Sequence, residues 1–456
     1  MLLAALPVCV LLVAQPHRVV HPASSSHALR HAPPISLAAK SRRVGKSAAA
    51  KPKPKAGGFG RPSSSSGATP EWAAFRDWIE SNGGVTDAME LADCGGGLRG
   101  LRTTRAVASG EPLLCVPRHL LLDEIAAEAS PVSGLWRDDE PSLSTLGKLA
   151  LALLHEARRP DSVFAPYIAT LPSPREFAQC GPAALWEPEQ IALTENAQLS
   201  ADALQRRDGI ASSPLLSDEL RRAEAWQRLG LPAPPPSNRD VLWAIACVTS
   251  RALGAAGMVP VADLANHNAP HNIERGLVPD GSAFLFVAKG ALRKGEQVWN
   301  SYGALPNLVL LSQFGFTLPS NPVEMTLARC VELVPTAHPF LLRSRAGGEV
   351  AEWQPIGPQL QAALLQLAQD GALPPDLTSV AVPGGASSEH ASEPAALANA
   401  VYAELLRRSL ASFSTSLEQD RQVLAAADLA PRAAAAVAFR AEQKEKLRAE
   451  LDRLRT

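Results

Sequence analysis

Four polar residues with possible roles in chemistry occur in two short stretches in the middle of the chain. An apolar run leads to Asp263 and then to the pair Asn266 and His267, where a polar turn begins. Further on, a strand-like run ends at Tyr302, followed by Gly303, which permits a sharp turn. We interpret the two stretches as halves of one site.

A metal centre is one explanation for the histidines. His267 and His271 are four residues apart, but Pro270 lies between them and no third ligand is evident. The six cysteines are widely separated and form no Cys-x-x-Cys pair. The sequence therefore predicts no metal site and no disulfide framework, and buried thiols are the expected role of the cysteines.

A helix is predicted directly before the first stretch. Ser237 and Asp240 form a capping box, and apolar residues recur after them at helical spacing, with Gly254 suited to the C-terminal cap. Ser250 and Arg251 then lie at the end of this helix. Structural roles remain open: Arg251 would complement the helix dipole, Asp263 could be a turn carboxylate and Tyr302 a core residue.

A G-x-G-x-x-G pattern begins at Gly95, so a dinucleotide site has to be considered. That site needs an apolar strand before the glycines and a helix after them. Residues 90–94 make a poor buried strand, and residues 102–107 and 112–117 look like the strands of a hairpin. The pattern favours a glycine loop ahead of a hairpin and argues against a Rossmann-type oxidoreductase.

Other elements follow from periodicity and turn residues. Residues 120–240 look helical and rich in loops, and residues 283–288 and 297–300 alternate like a second hairpin. A short helix is expected from Asn307 to Phe314, closed by Gly315. The remaining predictions are an amphipathic helix from Glu71, a strand over 323–334, and helices over 358–369, 395–417 and 431–455.

Composition indicates a globular protein of two or three domains. The chain has 456 residues, of which 46% are hydrophobic and 20% charged. Its net charge of -1 gives no electrostatic reason to expect a nucleic-acid partner. No amphipathic membrane anchor or internal repeat stands out, so we expect no membrane span in the mature chain, and a monomer.

Residues 1–70 differ from the rest, with ten Lys or Arg, no Asp or Glu, and abundant Ala, Ser and Pro. An apolar start followed by a basic, acid-free stretch resembles a bipartite signal-plus-transit leader of a plastid protein. An ordinary transit peptide and a disordered basic tail are the alternatives. We expect a targeting leader and linker, and a plastid location.

Together these motifs resemble a SET-domain methyltransferase of the Rubisco large-subunit lysine methyltransferase group. The resemblance rests on the glycine turn, Ser250-Arg251, Asp263-Leu-Ala-Asn266-His267, Tyr302-Gly303 and Phe314-Gly315-Phe316, and on similar C-terminal helices. It implies an α+β fold: a SET domain over 71–318, split by a helical insertion at about 120–240, then a helical substrate-binding domain over 319–456.

The resemblance also implies S-adenosylmethionine as the cofactor and a protein lysine as the methyl acceptor. Tyr302 would line the methyl-transfer channel as the catalytic residue, and Arg251 would pair with the methionine carboxylate. Ser250, Asp263 and Phe314 would lie on the substrate side. The remaining cofactor contacts would come from Gly97, Leu98, Arg99, Asn266 and His267.

We therefore predict an S-adenosylmethionine-dependent lysine N-methyltransferase that acts on a non-histone, plastid protein. The alternative is a catalytically weak SET-fold module that binds proteins. Leu98 and Phe314 depart from the family pattern and favour that alternative, because Phe314 removes a hydroxyl expected in the amine pocket.

Overall fold

The computed structural model describes two compact units of the chain. Its described residues are 70–86, 88–94, 99–268, 270–303, 305–318, 321, 356–373, 377, 394–426 and 429–454. The first unit comprises the described parts of His21–Phe177 and Ile210–Gly303, and the second those of Ala178–Gly209 and Ala304–Thr456. The predicted strand over 323–334 lies outside the described residues.

Two small antiparallel sheets form the β part of the first unit. Strands β1 (Met89–Asp93) and β2 (Arg99–Thr103) pair with each other. Strands β3 (Pro112–Pro117), β4 (Ile273–Leu277) and β5 (Ala283–Ala288) form the second sheet, in which β5 is central. Cys115, Leu285 and Val287 pack together on one face of it.

Both predicted hairpins are wrong in their pairing. β3 pairs with β5 rather than with the strand before it, and β2 pairs with β1, the segment judged a poor strand. Residues 297–300 form isolated bridges rather than a strand, and the hairpin partner of β5 is β4. β1 is antiparallel to β2, and the next described element after β1 is β2 rather than a helix, so the described part of this region does not contain the strand-to-helix turn that a dinucleotide needs.

Helices supply the rest of the first unit. The N-terminal helix α1 (Pro70–Ser81) buries Trp72, Phe75 and Ile79 as the periodicity predicts. The others are α2 (Glu124–Ala129), α3 (Gly134–Asp138), α4 (Thr145–Arg158), α5 (Ala165–Ile168), α6 (Pro174–Cys180, whose end enters the second unit), α9 (Pro214–Ser217), α10 (Glu219–Arg228) and α11 (Asn238–Arg251).

Helix α11 is the element that carries Ser250 and Arg251. Ser237 accepts a hydrogen bond from the backbone N–H of Asp240, whose carboxylate accepts from the Ser237 N–H in return, which confirms the capping box. The helix ends at Arg251, and Ala252 rather than Gly254 follows as its cap. Gly254 instead opens a short 3-10 turn with φ +60°.

The second unit is helical throughout its described residues. Here α7 (Pro188–Ala192), α8 (Ala197–Ala211, whose last residues enter the first unit), α12 (Asn307–Phe314), α13 (Ile356–Gln369), α14 (Pro394–Ala411), α15 (Leu417–Ala425) and α16 (Pro431–Arg453) occur. The helix predicted over 395–417 ends earlier, at Ala411. A serine-rich turn follows it, and Ser416 caps a separate helix, α15, which begins at Leu417.

The predicted domain boundaries stay predictions, and the compact units divide the chain in another way. Residues of Ala178–Gly209, from the predicted insertion, pack within the second unit. There Trp186 and Leu199 share an apolar cluster with Leu311 and Phe439.

Two features of the described residues bear on other functions. No helix among them combines the length and apolarity needed to cross a bilayer. Within the same ranges no three His, Cys, Asp or Glu side chains are arranged as metal ligands.

Candidate active site

The two stretches singled out in the sequence lie side by side in the first unit. His267 and Asn300 form an isolated parallel bridge. The backbone N–H of Asn300 donates to the Asn266 carbonyl at 2.9 Å, and the N–H of Asn268 donates to the Asn300 carbonyl at 2.9 Å. This crossing fixes Asn266 and His267 against the segment that leads to Tyr302.

His267 and Tyr302 contact each other directly. Their rings stack with centroids 5.2 Å apart, and the Tyr302 backbone N–H donates to His267 Nδ1 at 3.0 Å. Burial lowers the pKa of His267, so the ring is neutral at pH 7. A neutral ring that accepts at Nδ1 carries its proton on Nε2.

Tyr302 presents a neutral hydroxyl. Burial, the largest influence, raises the pKa of Tyr302 to about 12, so the phenolate does not form near neutral pH. The hydroxyl donates to the Ala265 carbonyl at 3.2 Å. With its proton directed there, the oxygen can act towards a further group only as an acceptor.

Arg251 is held by a buried carboxylate. Its Nη1 lies 2.9 Å from Asp263 Oδ2, and the Asp263 side chain has no exposed surface while that of Arg251 is 15% exposed. Tyr167 donates its hydroxyl to the same Oδ2 at 3.0 Å. The other oxygen, Asp263 Oδ1, is buried without a hydrogen-bond partner.

The electrostatics of this group favour a permanent cation. Burial is the largest single influence and lowers the pKa of Arg251, but the charge and hydrogen bond of Asp263, together with Tyr167 and Cys247, outweigh it and the net pKa is raised. Burial also raises the pKa of the neighbouring Cys247 thiol, which therefore stays protonated. Arg251 thus keeps its charge in a half-enclosed setting, where an anionic group would be attracted.

The backbone before Asp263 is unusual. Val261 has φ 69° and ψ −46°, a region that a β-branched residue rarely adopts. Its side chain is fully buried, and its carbonyl accepts from the N–H of Leu264 at 3.0 Å. A conformation of this kind costs roughly 1–3 kcal/mol and persists only where surrounding packing enforces it. It starts the 3-10 turn Ala262–Leu264, which points the Asp263 side chain at Arg251.

Asn266 and Arg99 connect the crossing with β2. Asn266 Nδ2 donates to the Arg99 carbonyl at 3.0 Å. Burial, followed by the nearby charge of Arg251, lowers the pKa of Arg99. The guanidinium groups of Arg99 and Arg251 therefore lie close enough for their charges to interact.

The structure brings together most of the predicted site residues. Arg99, Arg251, Asp263, Asn266, His267 and Tyr302 are linked by the contacts above. Ser250 is next to Arg251, but its hydroxyl donates to the Ala246 carbonyl of its own helix at 2.7 Å. Gly97 and Leu98 lie outside the described residues, and Phe314 lies in the second unit at the end of α12, so their predicted roles stay predictions.

Sequence reasoning missed two residues that organise the site. Tyr167 contacts Asp263, yet it lies in an irregular apolar segment with no spacing relation to it. Asn272 donates to the Gln297 carbonyl at 2.9 Å and accepts from the Trp299 N–H at 2.8 Å, which supports the crossing. A lone tyrosine in an apolar segment was the available signal for Tyr167.

Solved structures similar to this chain share its fold. Rubisco LSMT bound to AdoMet aligns with a TM-score of 0.57 and 19% identity over 85% of this chain and 92% of that one. Rubisco LSMT bound to sinefungin and monomethyllysine aligns with a TM-score of 0.58 and 18% identity over the same shares. The fold is therefore that of the Rubisco LSMT structures, which confirms the predicted α+β class.

Two methyltransferases are similar to this chain in sequence. The N-lysine methyltransferase SETD6 of Mus musculus is 28% identical over 290 residues, 57% of each chain. The human actin-histidine N-methyltransferase is 26% identical over 270 residues, 54% of this chain and 42% of the relative. The match thus spans about half the length of these relatives.

A family model adds the particular group. Residues 357–447 match the family described as Rubisco LSMT substrate-binding. The expected resemblance is confirmed: the chain combines the SET fold of Rubisco LSMT with a C-terminal domain of the Rubisco LSMT substrate-binding type.

Proposed function

We propose that this protein is a methyltransferase that moves the methyl group of S-adenosylmethionine to a side-chain nitrogen of another protein. The observation that carries the proposal is the proximity of two contacting pairs, Arg251–Asp263 and His267–Tyr302. The charges of Arg251 and Asp263 both act on the pKa of Tyr302. Relatives named as lysine and actin-histidine methyltransferases support the same class of reaction.

The residues present fit this cofactor. Its amino-acid part carries a carboxylate, and Arg251 is a permanently charged side chain, 15% exposed, that can bind one. The Gly100 backbone also lies close to a predicted cofactor contact: a Cβ on Gly100 would lie 2.5 Å from Asn266 Nδ2, so a side chain there would displace the Asn266 amide. When bound, the cofactor supplies a methyl group already activated by its sulfonium.

The protein's own residues position the reactants. Arg251 would bind the cofactor's carboxylate, while Asn266 and His267 would hold the rest of the cofactor through the crossing. The Tyr302 oxygen, which can act only as an acceptor, would contact the transferred methyl group and orient the incoming nitrogen. Because this displacement needs no covalent nucleophile, positioning and exclusion of water are the main contributions of the site.

The proposed acceptor is a lysine of a plastid protein other than a histone. Lysine must lose its proton before it attacks, and entry into an apolar channel favours the neutral amine. The plastid location rests on the basic, acid-free composition of residues 1–70. A fluorescent fusion of those residues tests it: fluorescence that stays outside plastids would overturn the location alone.

The activity is tested with the conservative variant Tyr302→Phe. The ring and its stacking on His267 remain, but the hydroxyl oxygen is lost, so we expect methyl transfer to fall by about a hundredfold while cofactor affinity changes less than threefold. Labelled S-adenosylmethionine with a plastid extract measures transfer, and isothermal titration measures affinity.

Two results would count against this assignment. An unchanged transfer rate in Tyr302→Phe would remove the role of Tyr302. If the wild type bound no S-adenosylmethionine at millimolar concentration, the proposed methyltransferase activity would be overturned. The alternative would then remain, a SET-fold module that binds proteins through its C-terminal domain.

A further inference from the structure

Tyr167 reaches the Arg251–Asp263 pair from a distant part of the chain. It lies on α5, 96 residues before Asp263 in the sequence, and its hydroxyl donates to Asp263 Oδ2 at 3.0 Å. Arg251 Nη1 donates to the same oxygen at 2.9 Å. One carboxylate oxygen therefore receives both donors, and the guanidinium meets the carboxylate through a single nitrogen at this distance.

The position of Tyr167 is tightly fixed. The side chain is fully buried, and its ring stacks on Phe75 of α1 with centroids 6.5 Å apart and planes 11° from parallel. Its carbonyl accepts the Thr170 hydroxyl at 2.7 Å. The hydroxyl thus has one defined direction, towards Asp263.

The hydroxyl is also a permanent donor. Burial, and next the negative charge of Asp263, raise the pKa of Tyr167 well above its ordinary value. Because the Tyr167 phenol keeps its proton at every physiological pH, its hydrogen bond holds the Asp263 carboxylate in one orientation.

We propose that Tyr167 is a positioning residue for the cofactor's carboxylate, acting through Asp263 on Arg251. This inference rests on the proposed function. With Oδ2 shared between Tyr167 and Arg251, the carboxylate cannot turn to face the guanidinium with both oxygens. Arg251 then keeps part of its donor fork for a second carboxylate, the one on the ligand.

Removing the hydroxyl would change this division of donors. In Tyr167→Phe the Asp263 carboxylate is free to rotate, and Oδ1, which has no partner in the wild type, can take a second bond from Arg251. A bidentate Asp263–Arg251 pair competes directly with the ligand's carboxylate. The affinity of a ligand without a carboxylate would not be lowered by this competition.

The test compares two ligands by isothermal titration: S-adenosylmethionine, and 5′-methylthioadenosine, which lacks the amino-acid part. We expect Tyr167→Phe to weaken S-adenosylmethionine about tenfold and methylthioadenosine less than twofold, since one charge-assisted hydrogen bond is at stake. In an Arg251→Lys background, Tyr167→Phe should have no further effect on either ligand.

Thr170→Val is the matched control. It removes a buried hydroxyl bond from the same turn, to the Tyr167 carbonyl, without touching Asp263. We expect it to lower the unfolding midpoint and leave the ratio of the two affinities unchanged.

The outcomes separate the two proposals. If Tyr167→Phe weakens both ligands equally, or neither, the positioning role is overturned while the proposed function stands. If the wild type binds neither ligand, the proposed function fails first and this inference with it. Asp263→Asn provides a second background: it keeps an acceptor for Tyr167 but loses the charge that competes for Arg251, so adding Tyr167→Phe to it should leave the ratio of the two affinities unchanged, and a change in that ratio would overturn the positioning role.

Discussion

Gly100 shows how closely single residues are fitted around the crossing. A Cβ added there would lie 2.5 Å from Asn266 Nδ2 and 2.8 Å from Cys94 Sγ, closer than real Cβ contacts allow. Gly100→Ala should therefore push the Asn266 amide away from the Arg99 carbonyl. We expect cofactor affinity to fall about tenfold, because the lost hydrogen bond and the shifted crossing together cost roughly 1–2 kcal/mol.

Titration of S-adenosylmethionine into Gly100→Ala measures this effect. Gly290→Ala is the control, because a Cβ there meets nothing within 4 Å. Equal affinities for the two variants would show that the approach of Asn266 to β2 does not matter for the cofactor.

At the scale of elements, α15 and α16 are joined by a buried ion cluster. The Asp420 carboxylate has no exposed surface and accepts from Arg440 at 2.8 Å and from Lys444 at 2.6 Å. Thr415 adds a third bond at 2.8 Å. Asp420→Ala would leave two buried cations without their main partner, so we expect the free energy of unfolding to fall by about 3–5 kcal/mol.

Chemical denaturation of the whole protein measures that loss. Glu445→Gln is the matched control, since Glu445 pairs with Arg421 across the same two helices but both side chains are about half exposed. Exposed pairs contribute little, so the control should unfold close to the wild type. If the two variants unfolded alike, the buried cluster would not be what holds these helices together.

The same scale explains which elements the sequence predicted. Helix ends depend on neighbouring residues, so the capping box at Ser237 and the left-handed Gly315, with φ 82° after α12, were found from local signals. Strand pairing depends on residues far apart in the chain. Local patterning therefore predicts that β3 pairs with the strand before it, whereas in the structure β3 pairs with β5.

The candidate site follows the same division. Arg251, Asp263, Asn266, His267 and Tyr302 were found because the resemblance supplied non-local information that spacing lacks. Tyr167 was missed because its partner Asp263 is remote in sequence and its flanking residues are apolar. Only the three-dimensional contacts reveal that Tyr167 and Arg251 both donate to Oδ2 of Asp263 and that Oδ1 has no hydrogen-bond partner.

At the scale of the whole molecule, the main open choice is between lysine and histidine as acceptor, since relatives with each activity match this chain. The pH dependence of the rate distinguishes them. Burial raises the pKa of Tyr302 to about 12, so its phenolate cannot serve as a base at pH 7–9.

The same pKa shift bears on stability. Because folding raises the pKa of Tyr302, the protonated hydroxyl contributes fully to the free energy of unfolding below about pH 10, and this contribution is lost as the pH rises through 12.

With no phenolate available, the rate should follow the neutral fraction of the acceptor itself. For lysine, with an ordinary pKa near about 10.4, kcat/KM should rise close to tenfold per pH unit between about pH 7 and 9. For histidine, near about 6.5, it should level off above about pH 7. The protein that acquires label from the plastid extract, once purified, is the substrate for this profile, and mass spectrometry identifies the methylated residue. A level profile with label on histidine would overturn the lysine assignment and leave the methyltransferase class intact.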